Sequence, residues 1–275
     1  MDYRTGIFGV VLAVGAVAAI PAWSQALPTR PATQGVVEKP SNMDPATSKN
    51  LTEIVAATIR DAADGMGMAR WDRNKAPPRI AYDTVHSFMF YASGTYGEVK
   101  SNKITISMDY VLPGIRADVE KAPGQREITV AAGKLSWDES KPGVFAKAST
   151  QAAADRQRLM WIFPPAIVHA AVMAPEKVKV ADRAGRKEMT VVAPDGTEIK
   201  ALLGAKNRIS NVEMQSGGKT YVGEYADYIE DFQDLEVMLP SKVVQKIDGK
   251  VVNDFTIWEH YPNPYVIFPT PKELK

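Results

Sequence analysis

The sequence predicts an α+β protein: one long, strongly curved antiparallel sheet with a single N-terminal helix and an inserted helical pair collected on one face. Three observations carry this prediction. From residue 80 onward apolar residues recur with period two, most plainly over Lys103–Tyr110. There Ile104, Ile106, Met108 and Tyr110 share one face, and Lys103, Thr105, Ser107 and Asp109 the other. Turn signals at Pro123-Gly124, Asp195-Gly196, Gly217-Gly218 and Asp248-Gly249 separate such stretches, so neighbours in sequence pair as hairpins. Residues 150–174 alone break the pattern, with a composition that favours helix on both sides of Pro164-Pro165.

The elements follow in chain order. An uncharged apolar run from Ile7 to Ile20 follows Arg4, and Ala22 and Ser24 supply the small residues of a cleavage site before Gln25. This is the order of a secretory signal, 1–24, and the run is short of the roughly 20 residues that span a bilayer. The expected address is periplasmic. Residues 25–49, rich in Pro, Thr, Ser and Asn, read as a disordered leader, and 50–275 as one domain. Leu51, Ile54, Val55, Thr58 and Ile59 fall on one face of a helix over 48–63, which Gly65 and Gly67 end. Residues 68–79 read as a loop. Strands are expected near 82–92, 103–110, 114–121, 125–132 and 134–138. After the helices 151–162 and 165–173 come strands near 177–182, 187–193, 197–204, 208–215, 219–227, 241–247 and 251–260. Leu159-Met160-Trp161-Ile162-Phe163 is too apolar for a free loop and must pack on something. The final run Tyr261–Pro269 is extended, because proline disfavours helix before it, and forms an edge strand or a strap.

Composition excludes several classes of function. There is no cysteine, hence no disulfide framework, thiolate metal site or cysteine nucleophile. Lys plus Arg is 33 and Asp plus Glu 32, which leaves no electrostatic footprint for nucleic acid. No Gly-x-Ser-x-Gly, Gly-x-Gly-x-x-Gly or Walker sequence occurs. His86, His169 and His260 have no metal-ligand spacing, and no metal or cofactor is expected. A calcium site in the acidic stretch Asp227, Glu230, Asp231 and Asp234 lacks EF-hand order.

Three stretches, in this order, carry a resemblance. They are Tyr110-Val111-Leu112-Pro113-Gly114-Ile115-Arg116, then Gly133-Lys134-Leu135-Ser136-Trp137, then the hairpins of Asp195–Trp258 with Leu239-Pro240-Ser241-Lys242-Val243. Over residues 80–260 the chain resembles the LolA/LolB-type lipoprotein localisation factors. The resemblance implies an open barrel with helices as a lid, and a lipid or lipidated protein as cargo, with envelope membrane proteins as further partners. It also implies a lid-holding role for the arginine at the matching position, Arg116. The helical insertion and the length depart from the compact carriers, which leaves the cargo open.

The residues themselves point the same way. Phe88-Met89-Phe90-Tyr91 makes both faces of one strand apolar. Phe88, Phe90, Met108, Trp137, Met160, Trp161 and Trp258 are the expected ligand-lining set, with Arg116 directed at the lid or a head group. Three readings stand: a carrier of lipophilic cargo; an enzyme using the same cavity with His169, His260 or the acidic loop; and an accessory binding protein of the envelope.

Overall fold

The structure, a computed structural model, describes residues 52–68, 70–72, 79–81, 85–149, 153–230 and 237–275. The expected signal segment and leader lie outside these residues. Helix α1 (Glu53–Gly65) begins at Thr52, whose hydroxyl accepts the Val55 N–H at 3.3 Å, an N-cap bond. Its face of Ile59, Ala62 and Ala63 is buried. A two-stranded ribbon, β1 (Arg70–Asp72) and β2 (Arg79–Ala81), stands where the sequence reads as a loop, because three-residue strands are too short to show a period.

Two meanders follow. The first is β3 (Ser87–Tyr96), β4 (Val99–Asp109), β5 (Gly114–Ala122), β6 (Gln125–Ala132), β7 (Leu135–Lys141) and β8 (Val144–Ala148). Helices α2 (Ala153–Trp161) and α3 (Pro164–Met173) interrupt the sheet. The second meander is β9 (Lys179–Arg183), β10 (Arg186–Val192), β11 (Glu198–Leu203), β12 (Ile209–Ser216), β13 (Lys219–Glu230), β14 (Met238–Ile247) and β15 (Lys250–Pro262). Every sequential pair within a meander is an antiparallel hairpin, and the first strand of one meander pairs with the last of the other, β3 with β15. The result is one 13-stranded sheet that runs from β8 to β9. Those two edges do not pair with each other, so the barrel stays unclosed.

The expected turns form. At Asp248-Gly249 both residues have positive φ, 49° and 78°, the mirror-image turn whose twist matches that of the flanking strands. Strand β8 escaped the sequence reading because nearly all of Val144–Ala148 is exposed, leaving no apolar alternation.

The two faces of the sheet differ. Phe90, Ile106 and Ile115 from the first meander join Val212, Tyr225 and Phe255 from the second in one apolar cluster with α1, α2 and α3. A single cluster fed by both halves requires a sheet bent around it. Helix α3 is buried on all sides from Pro164 to Val172, so it is core rather than covering. Its proline start needs no N–H partner there. Beyond β15 the chain runs extended as a strap. Asn263 donates its N–H to Ser87 O at 2.8 Å and accepts the His86 N–H at 2.7 Å, and Ser87 Oγ donates to Pro264 O at 2.8 Å. The Phe268 ring fills the space a side chain on Gly114 would need, which explains the glycine there. Among the described residues, no helix is long and apolar enough to cross a membrane.

Candidate functional site beneath helix α2

The hollow side of the sheet is lined by aromatic rings. Phe90 stacks on Phe163 at 5.4 Å and on Phe255 at 5.7 Å, and Phe163 meets Tyr225 edge-on at 5.7 Å. Between these rings and α2 lies a cavity of about 20 Å³, bordered by Phe90, Met108, Leu159, Phe163 and Phe255, with Tyr96, Gln245 and Asn253 as its polar groups. That is room for roughly a water. A drug-sized or larger lipophilic molecule needs several hundred Å³, far more than this space.

Helix α2 covers this space, and its attachments are of two kinds. Underneath, Met160 and Trp161 are buried, and Trp161 lies against Tyr110 at 5.9 Å. Along its margins it is tied to both halves of the sheet by polar bonds. On the β6–β7 side the Arg156 guanidinium donates to Val130 O at 3.0 Å and to Ser149 Oγ at 2.9 Å. On the β13 side Asp155 accepts the Tyr221 hydroxyl at 3.0 Å and lies 3.3 Å from Lys219, while Arg158 closes back on Asp155 at 2.8 Å and reaches Ser216 Oγ at 2.9 Å. Burial raises the Asp155 carboxyl, but the bonds from Tyr221 and Lys219 outweigh it and hold the group below its usual value. Gln157 adds bonds to Pro113 O at 3.1 Å and Gly133 O at 2.9 Å. At its C-terminal end, two sheet side chains donate to helix-end carbonyls: Gln245 Nε2 to Leu159 O at 3.0 Å and Tyr225 Oη to Ile162 O at 2.8 Å.

The structure brings part of the sequence-expected set together here. Phe90 and Met108 border the cavity. Met160 and Trp161 pack under α2, and Phe88 is buried in the same core. The other three lie elsewhere. Arg116 alternates with the inward Ile115 and Ala117, so it points to the opposite face. It forms a two-pronged ion pair with Glu139, at 3.0 and 3.2 Å, under the ring of Phe268. Trp137 sits beside it and donates Nε1 to Glu139 at 3.1 Å. Trp258 is 55% exposed and stacks on Tyr91. The arginine that bonds carbonyls across the lid is Arg156, carried by the helix itself.

His169, in α3, lies 5.7 Å from the Tyr110 ring and 6.4 Å from His86, while His260 Nε2 contacts Val237 O at 3.1 Å. Among the described residues no cluster of His, Asp and Glu is placed to hold a metal. Of the acidic stretch, Asp227 pairs with Lys242 at 3.0 Å, and residues 231–236 lie outside the described ones. Asp155, Arg156, Tyr225, Gln245 and Asn253 were missed in the sequence. The available signal was register: Gln245 follows Val243, and Asn253 precedes Phe255 and Ile257, on an apolar face.

Solved structures similar to this chain include the following two. A LolA superfamily protein from Nitrosomonas europaea aligns with a TM-score of 0.42 and 10% identity, covering 76% of this chain and 94% of its own. An outer membrane lipoprotein-sorting protein domain from Vibrio parahaemolyticus gives 0.32 and 10%, covering 78% and 95%. No family model matches this chain, and no curated protein matches its sequence.

Proposed function

We propose that this chain is an exported carrier that shelters the apolar part of a lipid or lipidated molecule in the hollow of its sheet, with α2 as the displaceable cover. The observation that carries this reading is the mismatch between how α2 is held and what it covers. Its margins are fastened by polar bonds that water can replace, each worth about 1–3 kcal/mol net since most involve a charged side chain. Its underside rests on an aromatic surface that water cannot satisfy. A ligand chain that takes the place of Leu159, Met160 and Trp161 restores the apolar contact, at about 25 cal/mol per Å² buried, so exchange of helix for ligand is close to balanced. The cavity's own polar groups are a phenol and two amides, which suit binding rather than proton transfer.

The experiment is titration with a long-chain fluorescent lipid, followed by native mass spectrometry of protein purified from an envelope extract. Saturable one-to-one binding, tightened by Arg156→Ala because the cover is then held less firmly, is the expected result. Absence of binding in both proteins refutes the reading.

A further inference from the structure

We infer that Tyr225 and Gln245 form a donor pair that selects a ligand with an uncharged carbonyl, the ester or amide of a long acyl chain, over an ether or a free fatty acid. This rests on the carrier reading and names the chemistry its site recognises.

The direction of the hydrogen bonds is fixed from the backbone outward. The Gly97 N–H donates to Asn253 Oδ1 at 3.0 Å, so that oxygen is the acceptor and the amide nitrogen points the other way. Asn253 Nδ2 then donates to Gln245 Oε1 at 2.7 Å, which turns the Gln245 nitrogen toward α2. Its partner there is a backbone carbonyl, Leu159 O. Gln245 also bears on the Tyr225 hydroxyl, whose own acceptor is a second carbonyl, Ile162 O. Gln245 and Asn253 are 4% and 2% exposed and Tyr225 5%, so the network is shielded from water. A side chain on Gly223 would collide with the Tyr225 hydroxyl, so the glycine makes the space that sets the phenol in this position.

With α2 closed, both donors are therefore held by amide carbonyls of the protein's own backbone. When α2 leaves, two buried donors lose their acceptors at the edge of an aromatic hollow, a costly state that a ligand carbonyl repairs. An ether oxygen is a poorer acceptor. A carboxylate accepts well but brings a charge into a cavity with no cationic side chain on its wall.

The test uses the full chain and three probes of equal chain length at pH 8: 1-monoacylglycerol, 1-O-alkylglycerol and the free fatty acid. The first two differ only in the carbonyl. Wild type is expected to bind the ester about tenfold more tightly than the ether or the acid, two hydrogen bonds at about two- to tenfold each. Tyr225→Phe and Gln245→Met should each cut the ester-to-ether ratio several-fold, and the double variant should bring it near one. Because the ratio compares two ligands on one protein, loss of stability in a variant cancels. Equal binding of ester and ether by wild type, or an unchanged ratio in the double variant, overturns this inference alone. Failure of all three probes to bind overturns it together with the carrier reading.

Discussion

Replacing His169 by leucine should remove roughly 3 kcal/mol of the stability the protein loses between pH 6.5 and 4. His169 is 6% exposed in the middle of α3, and its Nδ1 has no hydrogen-bond partner among the described residues. Burial, and then the nearby His86, push its pKa from 6.5 down to about 4. The folded protein therefore holds the ring neutral, while the unfolded chain takes up a proton as soon as the pH drops below 6.5. A depressed pKa means stability that is complete above 6.5 and lost as the pH falls toward 4. The difference is 6.5 minus about 4, and at 1.36 kcal/mol per pH unit it amounts to roughly 3 kcal/mol. Asp109, raised chiefly by burial, titrates in the opposite sense, but both proteins carry it and it subtracts out. The assay is urea unfolding of wild type and His169→Leu at pH 8, 6.5, 5 and 4. The two should lie within about 1 kcal/mol of each other at pH 8, since leucine fills the same apolar site. At pH 4 the variant should be the more stable by roughly 3 kcal/mol. Parallel curves across the range would refute the argument, because the ring would then titrate alike in both states.

Arg116→Leu should cost about 3 kcal/mol, since it strands Glu139, whose side chain is 2% exposed, while ligand affinity stays unchanged; thermal melts and probe titration check both halves. Phe90→Ala should cost about 3–5 kcal/mol and enlarge the cavity, seen as weaker stability with faster ligand entry in stopped flow. Trp258→Ala, on the outer face, should cost under about 1 kcal/mol and leave binding as it is. Native-state hydrogen exchange should open α2 at lower free energy than α3, and a uniform rate over residues 153–173 would contradict the division between cover and core.

The fold was largely legible in the sequence because antiparallel hairpins write themselves locally. Alternation over Lys103–Tyr110 and the glycine turns gave strands and pairing, and Pro164-Pro165 marked the break between α2 and α3. What alternation cannot give is the partner of a strand distant in sequence. The β3–β15 pairing that joins the meanders is of this kind, as is the partner of Arg116, since Glu139 lies on β7, two strands away. Trp137 shows the same limit. An apolar residue in a strand announces burial, yet its cover, an ion pair on the outer face, comes from other strands and from the C-terminal strap. The polar network of Gln245 and Asn253 is legible only once their neighbours are known to be buried.

The two inserted helices are adjacent and of similar length, yet the chain gives them opposite surfaces, and the proposed carrier reading rests on this difference. Helix α3 offers nothing polar except His169 and is enclosed by α1 and the sheet; to expose it would uncover apolar surface on every side. Helix α2 carries Asp155, Arg156, Gln157 and Arg158 on one turn, each bonded to a different part of the rim, and only its last turn is apolar. On the proposed reading, water takes over the first set of bonds when the helix lifts, and a ligand chain takes over the contacts of the last turn. The junction between the two is Ile162-Phe163, where α2 ends and the proline start of α3 prevents a continuous helix. Ile162 O, the carbonyl at that junction, accepts the Tyr225 hydroxyl at 2.8 Å, so on the proposed carrier reading the bond that closes the hollow also reports whether α2 is in place.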